Sequence, residues 1–294
     1  MRAKLILCRA LACAGAAYVA GCCGALIFFI VSHGLPVLGP KLFFGDTPAL
    51  DAILGLRPVW DGIWPALAGT LCLVVLTTLM AALPGICFGL YLARFAKGRV
   101  KMKERLSLAV DLLASVPSIV MGLFGFVLIL ALRRTFAPEA TTCIFLAAFC
   151  MALLVMPSLV VSTRSSVESL PPALYFTGAA LGLTEGQILR RLLVPAAARG
   201  ILGGLMLAMG RAAEDTAVIM LTGVVVNSGM PAGLGAKFEA LPFLIYYTAA
   251  QYMDENELLR GFGAALVLLL LSAALMGAAW LCQRSMERRW KGIR

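Results

Sequence analysis

The 294-residue chain is 61% hydrophobic and only 14% charged, with a mean hydropathy of +0.94, which is more apolar surface than a water-soluble fold can hide. The formal net charge of +10 would suit a nucleic-acid binder, but the basic residues cluster between apolar runs, so no nucleic-acid partner is expected. The single histidine, His33, excludes His-based triads and HExxH metal sites, and the nine cysteines form no CxxC pair, so they read as small apolar packing residues.

Six apolar runs are long enough to cross a bilayer at about 1.5 Å per residue. They predict spans near 10–32, 66–93, 108–132, 140–161, 200–226 and 261–282. The first contains "VAGC" ending at Cys22, which resembles a lipoprotein cleavage box. It continues apolar as "CGALIFFIVS", so it reads as an uncleaved helix. Pro84 in the second run and Pro117 in the third are expected to interrupt and bend their helices. Gly85 and Gly89, then Gly122 and Gly125, would let helices approach closely, as in any multi-span protein. Asp111 falls near the start of the third run, where it can reach the interface.

Basic residues set the expected orientation. The N-terminus carries Arg2, Lys4 and Arg9; the segment after the second span carries Arg94, Lys97, Arg99, Lys101, Lys103 and Arg105. The segment after the fourth carries Arg164, Arg190, Arg191 and Arg199, and the tail carries Arg284, Arg288, Arg289, Lys291 and Arg294. Asp46, Asp51, Asp61, Glu139, Glu239, Asp254, Glu255 and Glu257 fall on the other side. The positive-inside rule then predicts an all-α integral membrane protein with six transmembrane helices and both termini cytoplasmic. Phe243, Tyr246, Tyr247 and Tyr252 form an aromatic group in the last outer loop, suited to the interface or to a partner.

The inner segment 162–199 predicts two short helices. Pro171 and Pro172 open the first, which runs through Ala180, and Gly182 breaks it. Thr184 and Gln187 fit a capping box for the second, expected to end at Leu193 before Pro195. Such an amphipathic pair could lie on the membrane or present an apolar face to a soluble partner.

The fifth run holds "GRAAEDTAVIMLTG", with Arg211, Glu214 and Asp215 together although each charge costs roughly 2.5–3.5 kcal/mol in a bilayer. From an entry near Gly200, Arg211 lies roughly 16 Å deep, and helical spacing puts all three charges on about one third of the circumference. They could neutralise one another as a packing device, or line a polar path with Arg211 offered to an anion. The three sum to −1, so an anion would need further cations or a protonated acid.

The spacing of Gly182, Ile188 and Pro195, between the fourth and fifth spans, resembles the coupling loop of ATP-binding-cassette importer permeases. The E-A-A positions of that loop fall on Phe176, Thr177 and Gly178, so its glutamate is missing. "GIWPALAGTL" at 62–71, "LLASVPSIVMGLFGFVL" at 112–128, "GRAAEDTAVIMLTG" at 210–223 and "ALPFLIYYTAA" at 240–250 are similar, in order, to segments of phosphate-importer permeases of the PstA type. The resemblance implies a type I (MetI-like) permease fold and half of a translocation path in a bacterial inner membrane. It implies an ATPase dimer, a PstC-type second permease and an extracytoplasmic phosphate-binding protein as partners. It associates Arg211 and Glu214 with phosphate passage, Glu214 holding the guanidinium, with Asp215 where the family pattern has threonine and Thr216 next to it.

No G-x-x-x-x-G-K-[ST] motif is present, so ATP and Mg are expected on the partner ATPase, with no cofactor, metal or catalytic group on this chain. An intramembrane enzyme would have to use Asp111 with Asp215, or Ser118 without an evident base, and neither has a recognisable spacing. A secondary transporter or channel could use broken helices but would not need the coupling loop. Sulfate, molybdate and phosphonate remain alternative substrates. The expected division is an N-terminal helix and outer loop over 1–64, a permease core over 65–283 containing the coupling loop, and a basic tail over 284–294.

Overall fold

The computed structural model describes the backbone of residues 2–94, 100–135 and 138–291, and the side chains of these from residue 8 to residue 285, apart from 279. The orientation argument therefore rests partly on residues whose side chains lie outside this description: Arg2, Lys4, Lys97, Arg99, Arg288, Arg289, Lys291 and Arg294.

Among the described residues the fold is helical, and six helices are long and apolar enough to span a membrane. The first is α1 (Arg2–Gly34), followed by the short helices α2 (Pro40–Phe44) and α3 (Ala49–Ile53). The second is α4 (Trp64–Arg94); α5 (Val100–Ala114) and α6 (Ser118–Thr135) come next, then α7 (Ile144–Glu168). A hairpin of α8 (Pro172–Ala180) and α9 (Glu185–Ile188) passes through a π-helical turn, Leu189–Leu193, into α10 (Val194–Glu214). The chain ends with α11 (Ala217–Thr222), α12 (Leu241–Gln251) and α13 (Glu255–Lys291).

Four sequence expectations are corrected. The third span starts at Ser118, not near 108, because Pro117 has no N–H to continue the ladder and the Ser115 hydroxyl binds the Leu112 carbonyl at 2.7 Å. Residues 108–114 instead complete α5, an amphipathic helix held to α7 by Leu106 and Val110, by Lys103 paired with Glu168, and by Ser107, whose hydroxyl accepts from Arg164 at 2.9 Å. Pro84, by contrast, lies inside an unbroken α4. The helix begun at Glu185 does not end before Pro195. Proline is tolerated in the first turn of α10, so the helix runs on through the π turn to Glu214. Finally, the fifth span stops at Glu214 rather than near 226.

The most enclosed element is α7, with α4, α10, α6 and α11 around it. Two glycine pairs at i,i+4 make this possible. A Cβ on Gly85 or Gly89 of α4 would stand 2.9 Å from Leu159 or 2.7 Å from Thr163. On α10, Gly200 and Gly204 meet Ser166 and Ser162 in the same way, and the Ser162 hydroxyl donates to the Gly200 carbonyl at 3.0 Å. The outermost spanning helix is α1, which rests on α13 through Gly34, Phe29 and His33 against Phe262.

Candidate functional site

Arg211, Glu214, Asp215 and Thr216 straddle a break between α10 and α11 rather than one face of a continuous helix. Asp215 makes the break. Its backbone is extended (φ −76°, ψ 117°), its N–H donates to the Arg211 carbonyl at 3.2 Å, and its Oδ1 accepts from the Val218 N–H at 3.1 Å. A carboxylate that caps the next helix offers the backbone an alternative to extending the last one. Thr216 begins the new ladder, its carbonyl accepting from Met220 at 3.1 Å.

Arg211 and Glu214 are exposed, whereas Ala212 and Ala213 between them are buried in the main core. The two charged side chains thus sit on an outward face of the chain. Among the described residues no ion pair joins Arg211 to Glu214 or Asp215. Of the two sequence readings, the intrahelical ion cluster does not form among the described residues; a capped break stands there, flanked by a cation and an acid that do not pair with each other.

Gly122 and Gly125 of α6 hold the far side of the break in place. A Cβ at Gly122 would lie 2.9 Å from the Ala217 carbonyl, and one at Gly125 would lie 2.7 Å from Thr222 and 2.6 Å from the Cys150 sulfur. The loop after α11 then folds back over the start of α7. Cys143, Ile144 and Phe145 donate their N–H groups to the carbonyls of Thr222, Ala236 and Leu234 at 3.1 Å each. These are the donors that a helix N-terminus leaves unsatisfied. A parallel bridge between Val224 and Phe238 closes the loop.

Glu239, read in the sequence as one outer acid among several, turns out to organise that loop. It is 5% exposed, and its Oε1 accepts from the N–H groups of Ser228 and Gly229, both at 2.7 Å. Burial pushes its carboxyl above the ordinary glutamate value, against the opposing pull of those two N–H donors. Nearby, Gly69 of α4 approaches the Glu239 carbonyl closely, and Thr70 Oγ1 accepts from the Leu241 N–H at 2.9 Å. No short motif marks this role. The only sequence signal is a lone acid between two apolar residues, Phe238 and Ala240.

At the opposite end, the hairpin carries the family-like positions. Gly182 has φ +72°, the left-handed turn that glycine permits. Thr184 and Gln187 form both bonds of a capping box. Ile188 is 1% exposed, packed where Gly178 leaves room: a Cβ at Gly178 would stand 2.9 Å from Ile188 and 2.8 Å from Leu192. Phe176 and Leu181 are 66% and 72% exposed, and Thr177 turns its hydroxyl back to the Ala173 carbonyl at 2.9 Å. The sequence reading missed Tyr175, whose ring lies 3.4 Å from the Arg94 guanidinium carbon and whose hydroxyl donates to Glu185 at 3.2 Å.

Residues 85–291 match the family described as the binding-protein-dependent transport system inner membrane component. The chain belongs to this family. It is 31% identical over 246 residues to the phosphate transport system permease protein PstA of Haemophilus influenzae, covering 83% of this chain and 81% of that one. It is 28% identical over 250 residues to a probable PstA of Methanocaldococcus jannaschii, covering 85% and 83%. Among solved structures, it resembles a chain of the MetNI methionine ABC transporter in an inward-facing conformation, with a TM-score of 0.60, 17% identity, and 76% of this chain and 97% of that one covered. A bacterial ABC transporter for the acidic polysaccharide alginate gives 0.59 and 15% identity, covering 91% and 95%. This inner membrane component therefore has the MetI-like permease fold expected from its sequence, and it is a membrane part of a transport system.

Proposed function

We propose that this chain is the transmembrane permease subunit of an ATP-driven inorganic phosphate importer. The observation that carries the reading is the similarity to a phosphate permease at 31% identity over 83% of this chain and 81% of that one. The charged break supports it. Arg211 offers an anion a guanidinium with no competing acid bound to it, on a face that a second permease of the PstC type would complete. Glu214 offsets the charge of Arg211 on that face, so the partner permease supplies further cations. Asp215 and Thr216 shape the break beside the path.

In this reading both termini and the α8–α9 hairpin lie in the cytoplasm of a bacterium, against a dimer of a separate ATPase that binds ATP and Mg. An extracytoplasmic phosphate-binding protein delivers the anion near the Glu239 loop. The test is uptake of radiolabelled phosphate by a strain lacking the chain's gene, with and without this chain. Restored phosphate uptake that sulfate, molybdate and phosphonate fail to compete supports the reading. Restored uptake of one of those oxyanions instead, or uptake independent of ATP, overturns it.

A further inference from the structure

Resting on the importer reading, we propose that Tyr175 and Arg94 form a relay that ties the α8–α9 hairpin to the end of the second span. Arg94 is the last described residue of α4, and its guanidinium stacks on the Tyr175 ring at 3.4 Å. The Tyr175 hydroxyl donates to Glu185, the first residue of α9, at 3.2 Å. One side chain therefore touches three elements: its own helix α8, the start of α9 and the end of α4.

The surroundings make this contact matter. A cavity of about 220 Å³ opens between the hairpin and the ends of α4 and α7, lined by Ala93, Arg94, Val167, Pro171, Tyr175 and Leu193. The hairpin's two helices are packed together by Gly178, Ile188 and the Thr184 capping box, so a displacement of α8 is felt at the start of α9. The Arg94 stack bridges the cavity wall. A cation held on an aromatic face is attracted enough to bias a displacement without freezing it. Phe176 stands where the resembling loops carry a glutamate; it is 66% exposed and borders the same cavity. Tyr175, one residue earlier, is the side chain that meets Arg94 of α4. Both are positioning residues: they transmit hairpin displacement to α4 and touch no substrate.

The test uses the assembled transporter in proteoliposomes and measures phosphate imported per ATP hydrolysed. Tyr175→Leu and Arg94→Gln should each lower that ratio by about three- to tenfold while hydrolysis continues, and the double variant should be no worse than either single one. Tyr175→Phe, which keeps the ring and loses only the hydroxyl, should stay within about twofold, and Arg94→Lys should recover part of the ratio. A wild-type ratio in both Tyr175→Leu and Arg94→Gln overturns the relay. So does loss of assembly with an unchanged ratio in the transporter that remains, which makes the stack a structural wedge. If wild-type vesicles import no phosphate, the importer reading fails, a result separable from a wild type that imports and variants that couple normally.

Discussion

Asp215 Oδ1 accepts the Val218 N–H at 3.1 Å, so the acid that looked out of place in a membrane helix is the cap that ends one helix and starts another. Replacing it by alanine removes the acceptor and should cost about 1 kcal/mol. Asparagine keeps an acceptor in place and should restore most of that loss. Thermal unfolding of the purified chain in detergent checks both variants; equal midpoints for Asp215→Ala and wild type would remove the capping role.

Arg211 and Glu214 share an exposed face without an ion pair, which separates their expected phenotypes. Arg211→Ala should lower phosphate uptake at least about tenfold, the worth of one charge-assisted hydrogen bond to the anion. Glu214→Gln should stay within about twofold, because no clamp on the guanidinium is lost. Uptake rates normalised to the amount of chain in the membrane decide between this pattern and equal losses, which would mean that Glu214 positions Arg211 after all.

Gly122 and Gly125 differ in what stands opposite them. At Gly122 an added methyl meets backbone carbonyls of α11, at 2.9 and 3.1 Å, so the helix itself must shift. Gly122→Ala is expected to destabilise by about 1–3 kcal/mol. At Gly125 the nearest atoms are side chains of Cys150 and Thr222, so Cys150→Ala or Thr222→Ser should partly rescue Gly125→Ala. Gly21→Ala, with nothing within 4 Å, is the neutral control. A double-mutant cycle on thermal midpoints reads the rescue.

Glu239 makes loop stability depend on pH in a defined direction. Its folded-state carboxyl is pushed up by burial, so folding disfavours its ionisation relative to the unfolded chain. The contribution is fully present below the ordinary glutamate value and is lost as pH rises through the higher folded value. Glu239→Gln keeps an acceptor for Ser228 and Gly229 and removes the titration. The variant should be at least as stable as wild type at neutral pH, with the difference closing toward pH about 4, near the ordinary glutamate value. Thermal unfolding across that range measures it, and a gap that widens on acidification would contradict the sign.

The sequence by itself determined the solvent and the outline. Long apolar runs can bury their backbone polar groups only as helices, so the six spans were legible, and so were the Thr184 capping box and the turn at Gly182, which rest on bonds between near neighbours. The helix ends at Ser118 and Glu214 were not. At each, a proline or an aspartate offers a local alternative, and tertiary packing decides whether it is taken: Pro84 is absorbed into α4 while Pro117 breaks the chain. The same holds for function. Composition exposed the charged triplet, but only the fold turns Asp215 inward as a cap and leaves Arg211 and Glu214 facing out. Glu239 and the Arg94–Tyr175 stack were invisible for a simpler reason: their partners are supplied by segments separated in sequence, and only folding brings them together.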